Sequence, residues 1–476
     1  MAIKIYNTLS RQKEPLEPLE PGKVRMYMCG PTVYDYFHIG NARPFILFDV
    51  FRRYLKHRGF EVTFVTNLTD IDDKIIKKAN EENIPAAEVA EKYANAFFED
   101  ASRLGIQPAD AYPRATEHIP DIIQLIEKLL QKGIAYQING DVYYSVEKFP
   151  DYGKLSGKKI EELESGARVE VDPRKKNPLD FALWKAAKPG EPYWDSPWGK
   201  GRPGWHIECS VMSTKYLGES FDIHAGGVDL VFPHHENEIA QSEGATGKPW
   251  VKYWMHNGFL NIEGEKMSKS LGNFFTAREI LEKYHPAVIR MFFLLKHYRS
   301  PINFSEERIR EAQHALERII TTLNRIDAAL ANRALDEISI APSLSQSIEE
   351  IKADFLKEMD DDFNSAGAMA KLFDLIREAN LILSNTQLET ADLLALRKIK
   401  DIITEFDGFL GILSFREAMK ATIQEDQLIE ILIQVRNKLR AEKIWKLADY
   451  IRDQLAMIGI ELKDQPDKTI WSKKLS

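Results

Sequence analysis

The chain has 476 residues, 44% hydrophobic and 10% aromatic, with 64 Lys/Arg against 72 Asp/Glu and a net charge of −8. That composition excludes wholesale disorder and, being acidic, a protein that coats nucleic acid indiscriminately; no run approaches the roughly 18 apolar residues of a membrane span. Two cysteines in the whole length, Cys29 and Cys209, exclude a disulfide scaffold, and at about 100–200 residues per domain the chain holds about two to four domains. The first residues lack a charged-then-apolar signal pattern, which predicts a cytoplasmic protein.

In chain order, Val24 to Cys29 reads as a buried strand, broken by Gly30-Pro31. Gly40 to Arg58 reads as a helix, with Phe45, Phe48, Phe51, Tyr54 and Leu55 near helical spacing and Gly59 as its stop. Glu61 to Thr66 is a second strand, so the region predicts a β-α-β unit and a parallel sheet. Residues 74–104 and 114–132 read as helices. From about 165 to 205 the chain is rich in Pro and Trp and reads as an irregular insertion packed by aromatics. Strand-like pieces return at Phe221 to His224 and Val251 to Leu260. From 305 to 415 the composition is that of a helix bundle, with 336–346 as a linker inside it. The last 46 residues carry ten Lys/Arg against six Asp/Glu, which fits nucleic-acid contact or a solvated helix face.

Four strings carry chemistry. His38-Ile-Gly40-Asn41 opens the first helix, where free N–H groups and the positive dipole end suit a phosphate. Lys266-Met-Ser-Lys269-Ser lies between Gly264 and Gly272, and its two lysines could neutralise a triphosphate. Cys29, Cys209, His234 and Glu238 form a donor set suited to Zn²⁺, with His234 and Glu238 four apart on one helical face and His235 as the competing ligand. In Asp222 to Asp229, a Gly226-Gly227 pair after a strand lets a flat ligand approach, and Asp229 could accept from ribose hydroxyls.

Together the HIGH-like and KMSKS strings on a split nucleotide-binding sheet resemble class I aminoacyl-tRNA synthetases. The stretches Cys29 to Gly40, Thr66 to Lys74, Asn177 to Lys185, Gly201 to Ser210 and Phe232 to Glu238 narrow the resemblance to the cysteinyl-tRNA synthetase family, over about residues 3 to 473. The resemblance implies an α/β protein. A Rossmann-like parallel-sheet catalytic domain (1–111 and 201–264) is split by a connective insertion (112–200). A KMSKS and stem-contact region (265–318), a tRNA-binding helical bundle (319–415) and a small C-terminal anticodon-binding domain (416–476) follow.

It also implies one zinc per subunit on Cys29, Cys209, His234 and Glu238, holding the substrate cysteine's sulfur. Soft thiolate over hard hydroxyl would then replace editing. Gly30, Thr69 and Trp205 would line the amino-acid pocket. Residues of the HIGH-like stretch such as Gly40, with Gly226, Gly227, Asp229 and Lys269, would hold ATP with Mg²⁺, and His38, Asn41, Lys266 and Lys269 would act in the reaction. Asn41 replaces the final His of HIGH and can still donate a hydrogen bond. Arg440, Trp445, Asp449 and Asp464 would meet the anticodon. The implied activity joins L-cysteine to tRNA-Cys through cysteinyl-adenylate, in a monomer without membrane contact. A cysteine:amino-sugar ligase, or an inactive RNA-binding relative, are the alternatives.

Overall fold

The computed structural model describes residues 2–157, 173–262, 265–266, 275–331, 333, 340–413, 416–464 and 469–473. It divides into two compact units, Met1–Ile412 and Leu413–Ser476.

The core of the first unit is a four-stranded parallel sheet in the order Val251–Asn257, Phe221–Gly227, Lys23–Met28, Glu61–Thr66. Helices cover both faces of such a sheet, so its strands read as continuous apolar runs rather than alternating ones. The first and third strands in the chain are neighbours, and their crossovers leave in opposite directions. Their carboxyl ends, at Met28 and Gly227, therefore form a topological switch point, where open α/β sheets bind ligands.

The helix Ile39–His57 follows the first strand, one residue earlier at each end than its spacing predicts. His38 caps it, its ring nitrogen accepting from the Asn41 N–H at 3.2 Å. The predicted run 74–104 is two helices, Asp73–Glu82 and Ala86–Arg103, because Pro85 cannot continue the first and Asn83 turns left-handed at φ 54°. The Pro- and Trp-rich stretch is not irregular. Its strands Phe181–Ala186 and Gly201–Pro203 join Ala135–Ile138 and Asp141–Tyr144 in an antiparallel sheet, with Trp184 fully buried against Trp198. Val251 to Leu260 is also not one strand: Leu260–Ile262 leaves the parallel sheet and pairs with Glu265–Lys266 and Ile302–Phe304.

The bundle helices are Glu306–Leu330, Pro342–Asp360, Ser365–Ile382 and Thr390–Leu410. The expected linker 336–346 is helical from Pro342, where a proline at the first turn suits a helix start; its residues 336–339 lie outside the described set. The bundle packs onto Ile39–His57. Phe51 stacks on Phe363 with centroids 4.3 Å apart, and the Tyr54 hydroxyl donates to Asp360 at 2.7 Å. The second unit holds two helices, Arg416–Ala441 and Trp445–Met457, and a hairpin, Ile460–Asp464 with Thr469–Lys473, around Ile429, Ile433, Leu455 and Ile460. Among the described residues no helix is long and apolar enough to cross a membrane.

Candidate active site and metal centre

The switch point gathers groups from four parts of the chain. Cys29 follows the first strand. Cys209 lies on the helix Trp205–Leu217, and Glu238 on Glu236–Thr246, which a short turn holding His234 and His235 precedes. Sγ of Cys29 stands 3.9 Å from Sγ of Cys209, 3.6 Å from Oε1 of Glu238 and 3.3 Å from Nε2 of His235. Nε2 of His234 lies 2.9 Å from Oε1 of Glu238. The ligand atoms of Cys29, Cys209, His234 and Glu238 all fall within 4.8 Å of one another, and so do those of Cys29, His224, His235 and Glu238. Proximity therefore leaves His234 and His235 both in reach. The donor chemistry separates them, since the set with His234 holds both sulfurs. Two thiolates on one tetrahedral zinc at about 2.3 Å stand about 3.8 Å apart, close to the separation found here. The residues fit such an ion.

The electrostatics divide the set, drawing Cys209 and Glu238 towards their charged forms and holding Cys29 as a thiol. Burial pushes the Cys29 thiol well up, with Cys209 and Glu238 adding to it. Cys209, accepting from Cys29, is drawn down to about 6. Burial works against charge on His234, but the Glu238 carboxylate holds the ring up at about 10. Burial also works against charge on Glu238, yet His224 and His234 take it down to about 2. A second layer orients these groups. His224 Nε2 lies 2.8 Å from Glu238 Oε2, His256 Nε2 lies 2.8 Å from Nδ1 of His235, and His206 Nδ1 lies 2.9 Å from Nδ1 of His234. Burial lowers His206 and His235 well below the usual imidazole range and His256 to about 3, so these rings stay neutral.

The amino-acid candidates border this cluster. Trp205 stacks on His234 with centroids 4.2 Å apart. Gly30 has no room for a side chain, because a Cβ would meet the Asn67 carbonyl oxygen at 1.6 Å. Asn67 was not singled out in the sequence. Its Oδ1 accepts from the Gly30 N–H at 2.8 Å and lies 3.8 Å from Sγ of Cys209, and its amide donates to the buried Thr69 hydroxyl at 3.2 Å.

A cavity of about 370 Å³ runs from Cys29, Gly30 and Trp205 past His38, Gly40 and Asn41 to Gly226, Gly227 and Asp229. It brings the HIGH-like stretch and the Gly-Gly stretch to one site. Asn257 to Leu260 also line it, Asn257 being the strand partner of Gly227. Lys266 lies in the short strand Glu265–Lys266. Lys269 lies outside the described residues. A larger cavity, about 880 Å³ between the helices Ile119–Gln131, Trp205–Leu217 and Glu236–Thr246, touches none of the candidate residues.

In the second unit, Trp445 is exposed and Arg440 lies 5.9 Å over its ring. Asp449 pairs with Arg452 at 3.2 Å. Asp464 accepts two bonds of 2.7 Å from Arg436 and another from Arg440. The structure thus adds Arg436, a nearly buried guanidinium, to the residues foreseen there.

Comparison with known proteins accords with this geometry. The family described as the class I (C) tRNA synthetase catalytic domain matches residues 15–314, and the DALR domain matches 354–414. The "Cysteine--tRNA ligase" of Thermococcus onnurineus is 54% identical over 99% of both chains, and that of Carboxydothermus hydrogenoformans is 53% identical over 99% of this chain and 100% of its own. Among solved structures, the Mycobacterium tuberculosis methionyl-tRNA synthetase in complex with methionyl-adenylate has a TM-score of 0.62 at 15% identity, covering 83% of this chain and 91% of that one. The last likeness is one of fold. The sequence identity goes further: the chain belongs to the class I tRNA synthetases, in the family of the cysteine–tRNA ligases.

Proposed function

We propose that this chain activates L-cysteine with MgATP to cysteinyl-adenylate and pyrophosphate, then transfers cysteine to the terminal adenosine of tRNA-Cys, with zinc selecting the thiol. The observation that carries it is the convergence of Cys29, Cys209, His234 and Glu238 at the switch point of a class I fold, beside a cavity walled by the HIGH-like helix start. A zinc ion there would supply a soft Lewis acid that holds the substrate's sulfur as thiolate.

The chain's own residues do the rest. Trp205 and Thr69 bound the amino acid, and Asn67 fixes the backbone of Gly30 beside it. The neutral His206 and the carboxylate Glu238 hold His234 in one orientation. The helix start at His38–Asn41 lends its positive dipole end and the Asn41 side-chain amide to phosphate, and Asp229 offers acceptors to ribose. Lys266 and Lys269 neutralise the departing pyrophosphate. In the first step a cysteine carboxylate oxygen attacks the α-phosphorus as the bond to pyrophosphate breaks; in the second, a ribose hydroxyl attacks the acyl carbon and releases AMP. Positioning and charge stabilisation suffice for such phosphoryl chemistry. The basic second unit, with Arg440, Trp445, Asp449 and Asp464, reads the anticodon in this scheme, and its presence favours tRNA over an amino-sugar acceptor.

The test is cysteine-dependent ATP–pyrophosphate exchange, with serine as control and the metal stripped and restored. Exchange with cysteine only, lost with zinc and regained on its return, is expected. Exchange indifferent to zinc would discard the metal's role, and no exchange in zinc-loaded protein would discard the ligase.

A further inference from the structure

Arg43 lies two residues beyond Asn41 on the helix Ile39–His57 and is fully buried. Its guanidinium reaches away from the helix to two loops. One terminal nitrogen donates to the carbonyls of Gly258 at 2.6 Å and Phe259 at 2.9 Å. The other donates to those of Tyr298 at 3.0 Å and Ser300 at 2.6 Å, with His297 at 3.4 Å. Burial lowers the guanidinium to about 10, so it stays charged at neutral pH, facing carbonyl dipoles. The loops themselves touch: the Gly258 N–H donates to the Tyr298 carbonyl at 2.9 Å, and a Cβ at Gly258 would meet the Arg299 carbonyl oxygen at 2.5 Å.

What leaves these loops matters to the site. Gly258, Phe259 and Leu260 line the same cavity as Gly40 and Asn41. The chain then runs on as Leu260–Ile262, paired in parallel with Ile302–Phe304 and antiparallel with Glu265–Lys266. Arg43 thus grips the root of the hairpin that carries Lys266. The chain returning from this hairpin is tied to the same helix start, since the Ile39 N–H donates to the Phe275 carbonyl at 3.1 Å and the Ala277 N–H to that of Phe37 at 2.9 Å.

Resting on the reading of this cavity as the ATP site, we infer that Arg43 is a positioning residue for the nucleotide. It fixes the distance between the His38–Asn41 helix start and the Gly258–Leu260 wall, with the Lys266 strand beyond, without touching substrate. A planar fork can serve acceptors on two loops at once, whereas a lysine ammonium is a point donor on a stem. None of the carbonyls that Arg43 holds belongs to Cys29, Gly30 or Trp205, around which cysteine is read to bind.

The experiment compares full-length, zinc-loaded wild type with Arg43→Lys in cysteine-dependent exchange, and measures ATP affinity by equilibrium dialysis without amino acid. In Arg43→Lys the KM for ATP should rise and kcat fall, each by about tenfold or more, with the KM for cysteine and the zinc content unchanged. Gly258→Ala, which keeps the guanidinium but wedges the loops apart, should show the same split and serves if Arg43→Lys does not fold. Values within about twofold of wild type in both variants overturn the inference. So does parallel loss of zinc, cysteine and ATP binding, or failure of both variants to fold, because Arg43 would then only hold the fold. A wild type without exchange overturns the ligase reading instead; weaker ATP binding by Arg43→Lys would still support the clamp, and unchanged binding would refute it.

Discussion

Cys209 and Gly30 show how tightly single atoms bind this site. Replacing Cys209 by Ser removes one sulfur of a pair standing 3.9 Å apart and leaves a hard hydroxyl. We expect Cys209→Ser to lose about a hundredfold or more in zinc affinity and to lose cysteine activation with it, as read by metal emission analysis and exchange. Full zinc content would remove Cys209 from the ligand set. Gly30→Ala places a methyl carbon 1.6 Å from the Asn67 carbonyl oxygen, so backbone must shift. That overpacking should cost about 1–3 kcal/mol, seen as a lower Tm by calorimetry, together with a higher KM for cysteine. An unchanged Tm would contradict the close approach. The cysteines were legible because the two thiols in 476 residues both sit in chemical strings. Asn67, His206, His224 and His256 were not legible in this role. A single Asn or His on a strand or helix has no pattern of its own, and its importance comes only from what the sheet sets beside it.

At the scale of elements, the Arg436–Asp464 contact ties the helix Arg416–Ala441 to the hairpin strand Ile460–Asp464. The bonds from Arg436 hold the Asp464 carboxyl well below its ordinary 3.8. A depressed folded value means that the stabilisation is complete above the unfolded value and is lost as pH falls towards the folded one. Order in the second unit should therefore weaken between about pH 5 and 2, and Asp464→Asn should be less stable at neutral pH and less sensitive to acid there. Because Asp464 is 40% exposed, the contribution is expected below about 1 kcal/mol. Tryptophan fluorescence of wild type and variant would check it; identical acid profiles would show that the pair contributes nothing. Among elements, the β-α-β start was legible because Val24 to Cys29 and Glu61 to Thr66 are apolar runs on either side of a long helical pattern. The antiparallel sheet of the insertion escaped because its strands are only three to six residues long and Pro and Trp dominate the stretch between them.

For the whole molecule, the metal cluster and the cavity lie within Met1–Ile412, while the basic hairpin unit spans Leu413–Ser476. Removing 413–476 should leave cysteine-dependent exchange within about twofold of wild type and lower tRNA charging by about tenfold or more, measured on the same preparation. Full charging would mean that the second unit does not select tRNA. The split catalytic sheet was legible as two strand-bearing segments around an insertion, but the strand order was not, and that order is what makes the site. It also bears on how the chain is made. Lys23–Met28 pairs with Glu61–Thr66 on one side, while its partner on the other, Phe221–Gly227, is synthesised far later. At about 5–20 residues per second, the open edge of that first strand waits on the order of 10–40 s on the ribosome before its neighbour exists. An unpaired, apolar strand edge invites pairing with other chains. Each new copy thus passes through a stage in which the edge that Phe221–Gly227 will cover lies open, and slower translation lengthens that exposure.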